Sequence, residues 1–196
     1  MMRNEIRSVC VYCGSSFGNQ PVFRDVATAL GKELAESGVR LVYGGGAHGL
    51  MGEVARSVLA HGGEVTGIIP HFLKARESML EGAQEMIVTD HMHERKRLMF
   101  EKSDAFVALP GGVGTLEELV EQLTWAQLGQ HKKPILLLNT ASFWKPLLVL
   151  LAHMREFAFI RPETEVHYLV AEQVKEVMPM LLQAANMAQL AQRAQG

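Results

Sequence analysis

Ala105-Phe106-Val107-Ala108-Leu109-Pro110-Gly111-Gly112-Val113-Gly114-Thr115-Leu116-Glu117-Glu118 packs three structural instructions into fourteen residues. The apolar run Ala105–Leu109 reads as a buried strand, and residues from Leu116 to Leu128 as a helix. Between them lie a proline and three glycines in four positions. Glycines let a backbone approach a ligand closely, and the helix start offers unpaired N–H groups at a positive dipole end. The unit is an anion site best suited to phosphate, with Gly111, Gly112, Val113 and Gly114 forming the turn. Thr115 caps the helix or donates to a phosphate oxygen. A plain turn with a Thr N-cap and dipole-matched acids explains less, because three glycines exceed what a cap needs.

The same strand–turn–helix order recurs on both sides. Ile6–Cys13 is a strand ending at Gly14-Ser15-Ser16, followed by a helix over Pro21–Ser37. Val39–Tyr43 is a strand entering Gly44-Gly45-Gly46, and Leu50–His61 is a helix. Glu64–Ile69 is a strand; His71–Gln84 has no period and reads as a long functional loop. Further on, Glu85–Val88 is a short strand, His91–Lys102 a helix, Pro134–Leu138 a strand and Phe143–Arg155 a helix. A last strand falls at Val166–Val170, and Glu172 onward is helical. Continuously apolar strands separated by helices describe a mostly parallel sheet covered on both faces. The expectation is α/β: a single doubly wound, Rossmann-like domain over residues 1–196, with a C-terminal helical tail over about 183–196. Such sheets bind ligands at the carboxyl ends of their strands, where strand order reverses.

Composition excludes several classes. The chain has 196 residues and 19 basic against 21 acidic side chains, a net charge of -2, which predicts no nucleic-acid-binding face. No apolar run, Leu147–Ala152 included, approaches a bilayer span, and no signal peptide is visible, so no membrane association and a cytoplasmic location are expected. Cys10 and Cys13 are three apart on a strand, point to opposite faces, and read as buried structural thiols rather than a redox pair.

Gly44-Gly45-Gly46-Ala47-His48-Gly49 fits G-x-G-x-x-G. A dinucleotide site also needs an acidic residue at the tip of the next strand, and that strand ends Ile69-Pro70-His71 without one. His91 and His93 do not share a helix face, which argues against a metal. Arg95 lies beside the buried stripe of its helix, close enough to reach a neighbouring strand end; a buried Arg95–Glu118 ion pair is the plainer alternative.

Together these segments resemble the LONELY GUY family of cytokinin-activating phosphoribohydrolases. The resemblance rests on Pro110–Glu118, Met92–Lys96 and Tyr43–Gly52, and extends through Val9–Ser16, Gly67–Pro70, Ser103–Leu109 and Thr124–Gly129. It covers most of the chain from about residue 6 to 150. It implies hydrolysis of a nucleoside 5′-monophosphate to free base and ribose 5-phosphate, with no cofactor and no metal. The implied catalytic residues are Arg95 and Glu118. The implied substrate contacts are Glu77, Lys96, Gly111, Gly112, Val113, Gly114, Thr115, Glu117 and Thr124, with Gly14, Ser15, Gly45 and Gly46 as additional loop contacts. Arg95 would hold Glu118 ionised. Related bacterial chains are often labelled lysine decarboxylases, which these residues do not support, since no lysine is marked as a Schiff-base residue. A nucleotide- or cofactor-binding carrier on the same scaffold is the alternative class. The resemblance also implies a homodimer, and the helix after the phosphate turn is apolar on more than one side, with Leu116, Leu119, Val120 and Leu123 on one stripe and Trp125 opposite.

Overall fold

The computed structural model describes residues 6–74, 78–165 and 167–193. Strands β1 (Ser8–Tyr12), β2 (Arg40–Tyr43), β3 (Val65–Pro70), β4 (Glu85–Thr89), β5 (Ala105–Ala108), β6 (Ile135–Leu138) and β7 (Leu169–Ala171) form one sheet. Its order is β4-β3-β2-β1-β5-β6-β7. Every pairing between these strands is parallel, because each connection carries a helix back to the starting edge. The last strand begins at Leu169, later than expected, since the short β6 offers partners only to Leu169, Val170 and Ala171. Val166 lies outside the described residues.

Burial explains the apolar runs. β1, β3, β5 and β6 are buried along their whole length, whereas the edge strands β4 and β7 are partly open. One face is covered by α1 (Pro21–Glu36), α2 (Gly49–Ala60) and α7 (Val174–Arg193), which bury Leu30, Leu34, Val54, Val58, Val177 and Leu181 against it. On the other face α4 (Met92–Glu101), α5 (Val113–Gln127) and α6 (Lys145–Glu156) contribute Met99, Leu119 and Leu123, with Leu147 and Leu151 packed at the edge. Cys10 belongs to this second layer and Cys13 to the first, so the sheet itself separates the thiols. Both are free and buried, and burial pushes both pKa values up, away from reactivity.

The chain winds from β1 outward to β4, then returns to add β5 on the other side of β1. The reversal therefore falls between β1 and β5, and both strands end in glycine-containing turns. The segment expected as a long functional loop, His71–Gln84, contains α3 (His71–Lys74), a single turn. It also has an antiparallel bridge between Gly46 and Met79, reinforced by the Ala47 N–H donating to Ser78 O at 2.8 Å. The expected tail over about 183–196 is helical as far as Arg193, the end of α7, and residues 194–196 lie outside the described residues. No helix among the described residues is long and apolar enough to cross a membrane.

Candidate active site

The strand-order reversal sets the exits of β1 and β5 side by side. Gly14 N–H donates to Pro110 O at 3.0 Å, and Gly14 O accepts from Met51 N–H at 3.3 Å. Gly14 is thereby buried between the two glycine-rich turns, and Ser15 is exposed next to it.

Helix α5 starts three residues earlier than expected. Gly112 is the extended N-cap residue, with Leu116 N–H donating to its carbonyl at 3.0 Å, so Val113, Gly114 and Thr115 are the first helical turn. Thr115 is therefore no N-cap. Its side chain is buried and folded over Gly111, where a Cβ would collide with the threonine hydroxyl. The first-turn N–H groups of Val113, Gly114 and Thr115 have no acceptor within the helix. Gly112, Val113 and Gly114 are exposed, so the turn is open to an anion.

Arg95 approaches this helix from α4. Glu94 accepts from the Asp90 N–H at 3.2 Å and so pins the first turn of α4. Arg95 is buried, and its guanidinium must find partners there. Nε donates to Ile68 O at 3.1 Å, Nη2 to Gly44 O at 3.5 Å, and Nη1 lies 3.4 Å from the Met92 thioether. Nη2 also pairs with Glu118 Oε1 at 3.6 Å, with side chains only 9% and 14% exposed.

The pair expected as the plainer alternative is thus present, but it does not hold the carboxylate fully ionised. Burial pushes Glu118 from the ordinary 4.5 up to about 7, against the opposing pull of Arg95 and with a further push from Glu117. Desolvation outweighs a single cation that meets the carboxylate through one long contact. A carboxyl poised near neutrality, on the helix whose first turn is open, is able to change protonation during a reaction.

Lys96 points to a different set of acids. Its ammonium meets Glu117 at 2.7 Å and Glu121 at 3.1 Å. Burial works against its charge, but the two carboxylates prevail and hold its pKa above the ordinary value. A Schiff-base amine needs the opposite environment. Two ionic links, Arg95–Glu118 and Lys96 to Glu117 and Glu121, therefore tie α4 to α5.

The second glycine turn is closed. Gly44, Gly45 and Gly46 are buried; Gly45 packs on Ile69, and Gly46 is bridged to Met79. Gly49 has φ +60 and sits against the Ser15 backbone, where a Cβ would overlap it. Thr124 is not brought to the phosphate turn. It lies nine residues beyond Thr115, about 13 Å along the helix, and its hydroxyl donates back to Val120 O at 2.8 Å. Glu77 lies outside the described residues. Among the described residues, no three His, Cys, Asp or Glu side chains are placed to hold a metal ion.

Sequence reasoning missed Glu121 and Gly44. Glu121 had a signal, standing four residues after Glu117 and so on the same helix face. Gly44, like Ile68, acts through a backbone carbonyl and carries no side-chain signal.

Residues 51–181 match the family model described as "Possible lysine decarboxylase". The chain is 45% identical over 181 residues to a probable cytokinin riboside 5′-monophosphate phosphoribohydrolase of Oryza sativa subsp. japonica, covering 92% of this chain and 74% of that one. It is 45% identical to a cytokinin riboside 5′-monophosphate phosphoribohydrolase of Arabidopsis thaliana, covering 92% and 84%. A third relative, the rice enzyme named LOG, is 53% identical over 146 residues, 74% of this chain and 60% of its own. Among solved structures, the Moco carrier protein from Chlamydomonas reinhardtii superposes with a TM-score of 0.69 at 23% identity, over 93% of this chain and 99% of that one. That likeness is one of fold. At the identities shared with the plant proteins, over 92% of its length, the chain belongs to the LONELY GUY family of phosphoribohydrolases, as the resemblance of Tyr43–Gly52, Met92–Lys96 and Pro110–Glu118 implied.

Proposed function

We propose that this chain hydrolyses the N-glycosidic bond of a nucleoside 5′-monophosphate, AMP or a cytokinin riboside 5′-monophosphate, to free base and ribose 5-phosphate. One observation carries the reading: the Arg95–Glu118 pair is buried about a turn and a half along the helix whose open first turn suits a phosphate. The names of the plant relatives support the same substrate class.

Phosphate bound at Gly111–Thr115 supplies binding energy remote from the bond that breaks and so positions the ribose. As the C1′–N bond breaks, its electron pair leaves with the base and positive charge builds on the sugar ring, as in glycoside transition states. The Glu118 carboxylate stabilises that charge and orients the water that adds to C1′; one water proton ends on the departing base. Arg95 fixes the sugar or phosphate and keeps Glu118 ionised often enough to act. Ser15 adds a contact from the loop after β1, and Glu77, which lies outside the described residues, is a further contact implied by the family resemblance.

We also propose a homodimer. A groove of about 340 Å³ between α5 and α6 is lined by Leu116, Val120, Leu123, Leu147, Leu150 and Leu151, with Thr124 among them. A second copy covers it, and Thr124 serves the site through that interface. Sedimentation of the wild type as a dimer and of Leu150→Asp as a monomer is expected; a wild type that sediments as a monomer overturns this part.

The decisive assay incubates the protein with a panel of nucleoside monophosphates, including AMP and N6-prenylated AMP, and follows free base by chromatography. Release from adenine nucleotides is expected. Stoichiometric AMP binding without base release would overturn the hydrolase and leave a carrier.

A further inference from the structure

We propose that the closed turn at Gly44–Gly49 is a cradle that positions Arg95, and that Gly44 is its positioning residue rather than a nucleotide contact. The inference rests on the reading that Arg95 and Glu118 carry the reaction. A buried guanidinium has several rotamers and a strong demand for acceptors, so its placement is set by whatever oxygens the fold presents. Here the residue after β2 and the second half of β3 present two backbone carbonyls, Gly44 O to Nη2 and Ile68 O to Nε of the guanidinium. Glu118 stands within reach of the same Nη2 that faces Gly44. The space that Nη2 occupies is the space a side chain at residue 44 would fill. A Cβ there would overlap Nη2 and press on the Met51 sulfur at 3.2 Å. The atoms in the way are side-chain atoms, Arg95 Nη2 nearest, so it is the arginine that would move, away from its carbonyl and from Glu118 together.

The rest of the turn is arranged to hold the cradle still. Gly45 packs on Ile69, and Gly46 and Ala47 are tied to Met79 and Ser78. Their backbone groups face protein, in contrast to the open N–H groups of Gly112–Thr115. This explains why a fingerprint-like run of glycines occurs without the acidic residue a dinucleotide would need.

Gly44→Ala tests the proposal. It should lower kcat at least about tenfold while KM for AMP rises by a smaller factor. The acidic limb of the pH profile should move to higher pH, because Glu118 loses its cation; a purely structural defect would leave that limb in place. A thermal double-mutant cycle gives a readout independent of activity. Gly44→Ala should lower Tm by about 4 °C or more in the wild-type background and by less than about 1 °C in Arg95→Ala, where the space is free. Should Gly44→Ala fail to fold, a Gly44→Ala/Arg95→Ala double variant that folds like Arg95→Ala supports the cradle equally. An undiminished Tm loss or continued misfolding in the Arg95→Ala background overturns it, as does wild-type kcat in Gly44→Ala. If Arg95→Ala itself keeps wild-type base release, the catalytic reading fails, and the thermal cycle still decides whether Gly44 shapes the arginine site.

Discussion

The two glycine-rich turns leave adjoining regions of one sheet and nearly match in composition, yet they do opposite things. The turn after β5 is open: Gly112, Val113 and Gly114 are exposed, and the helix start behind them has unpaired donors. The turn after β2 is closed: its glycines are buried under β3, the Met79 segment and the Arg95 guanidinium. Glycine in the first leaves backbone N–H groups open, as the proposed phosphate site requires. In the second it removes side chains so that protein can pack on protein. A glycine run therefore reports close approach, and only its neighbours say what approaches.

The largest expected effect falls on the pair between the turns. Glu118→Gln and Arg95→Ala should each reduce base release from AMP by about a thousandfold, since both act on charge that develops as the bond breaks. Undiminished release from both variants would remove the pair from the chemistry. It would also leave the closed turn with nothing catalytic to hold.

Damage to the open turn should register in binding instead. A Cβ at Gly111 would collide with Thr115, so Gly111→Ala should raise KM for AMP by about tenfold or more. Binding of the corresponding nucleoside, which lacks the phosphate, should stay within about twofold of the wild type by calorimetry. Equal weakening of both ligands would mean that this turn, too, is only structural.

The smallest effects are those of pH. With Glu118 acting as the carboxylate, kcat/KM should rise with pH through an apparent pKa of about 7 and level off above it. A flat profile between pH 6 and 8 would contradict the role. Stability should move the other way. A carboxyl raised from 4.5 to about 7 ionises more readily unfolded than folded, so stability present at acid pH is lost as pH rises through 7. Glu118→Gln does not titrate. Its stability relative to the wild type should therefore improve between pH 5 and pH 8, by up to about 3 kcal/mol, as read from urea unfolding at each pH. A constant difference would show that Glu118 is not perturbed.

Much of this was legible in the chain. Ala105–Leu109 announced a buried strand because parallel strands covered on both faces need no polar alternation, and a turn before a helix followed from the glycines after it. Other features were not. The earlier start of α5 depended on Gly112 adopting an extended N-cap geometry, which displaced Thr115 from capping to a buried position over Gly111. The expected ionised Glu118 proved too simple, because burial cannot be read from one helix when half of its surroundings come from α4 and the sheet. Thr124 looked local to the phosphate turn in sequence but is carried away from it by the helical rise.

The sequence by itself determined the layered α/β fold and marked a glycine turn suited to an anion, because periodicity and glycine spacing are local properties; Arg95 and Glu118 stood out as candidates through the family resemblance of their segments. Only the tertiary structure decided which glycine turn is open, which carbonyls hold the arginine and where the Glu118 carboxyl titrates. Those depend on desolvation and on contacts such as Gly44 to Arg95, between residues far apart in the chain, and strand order alone brings them together.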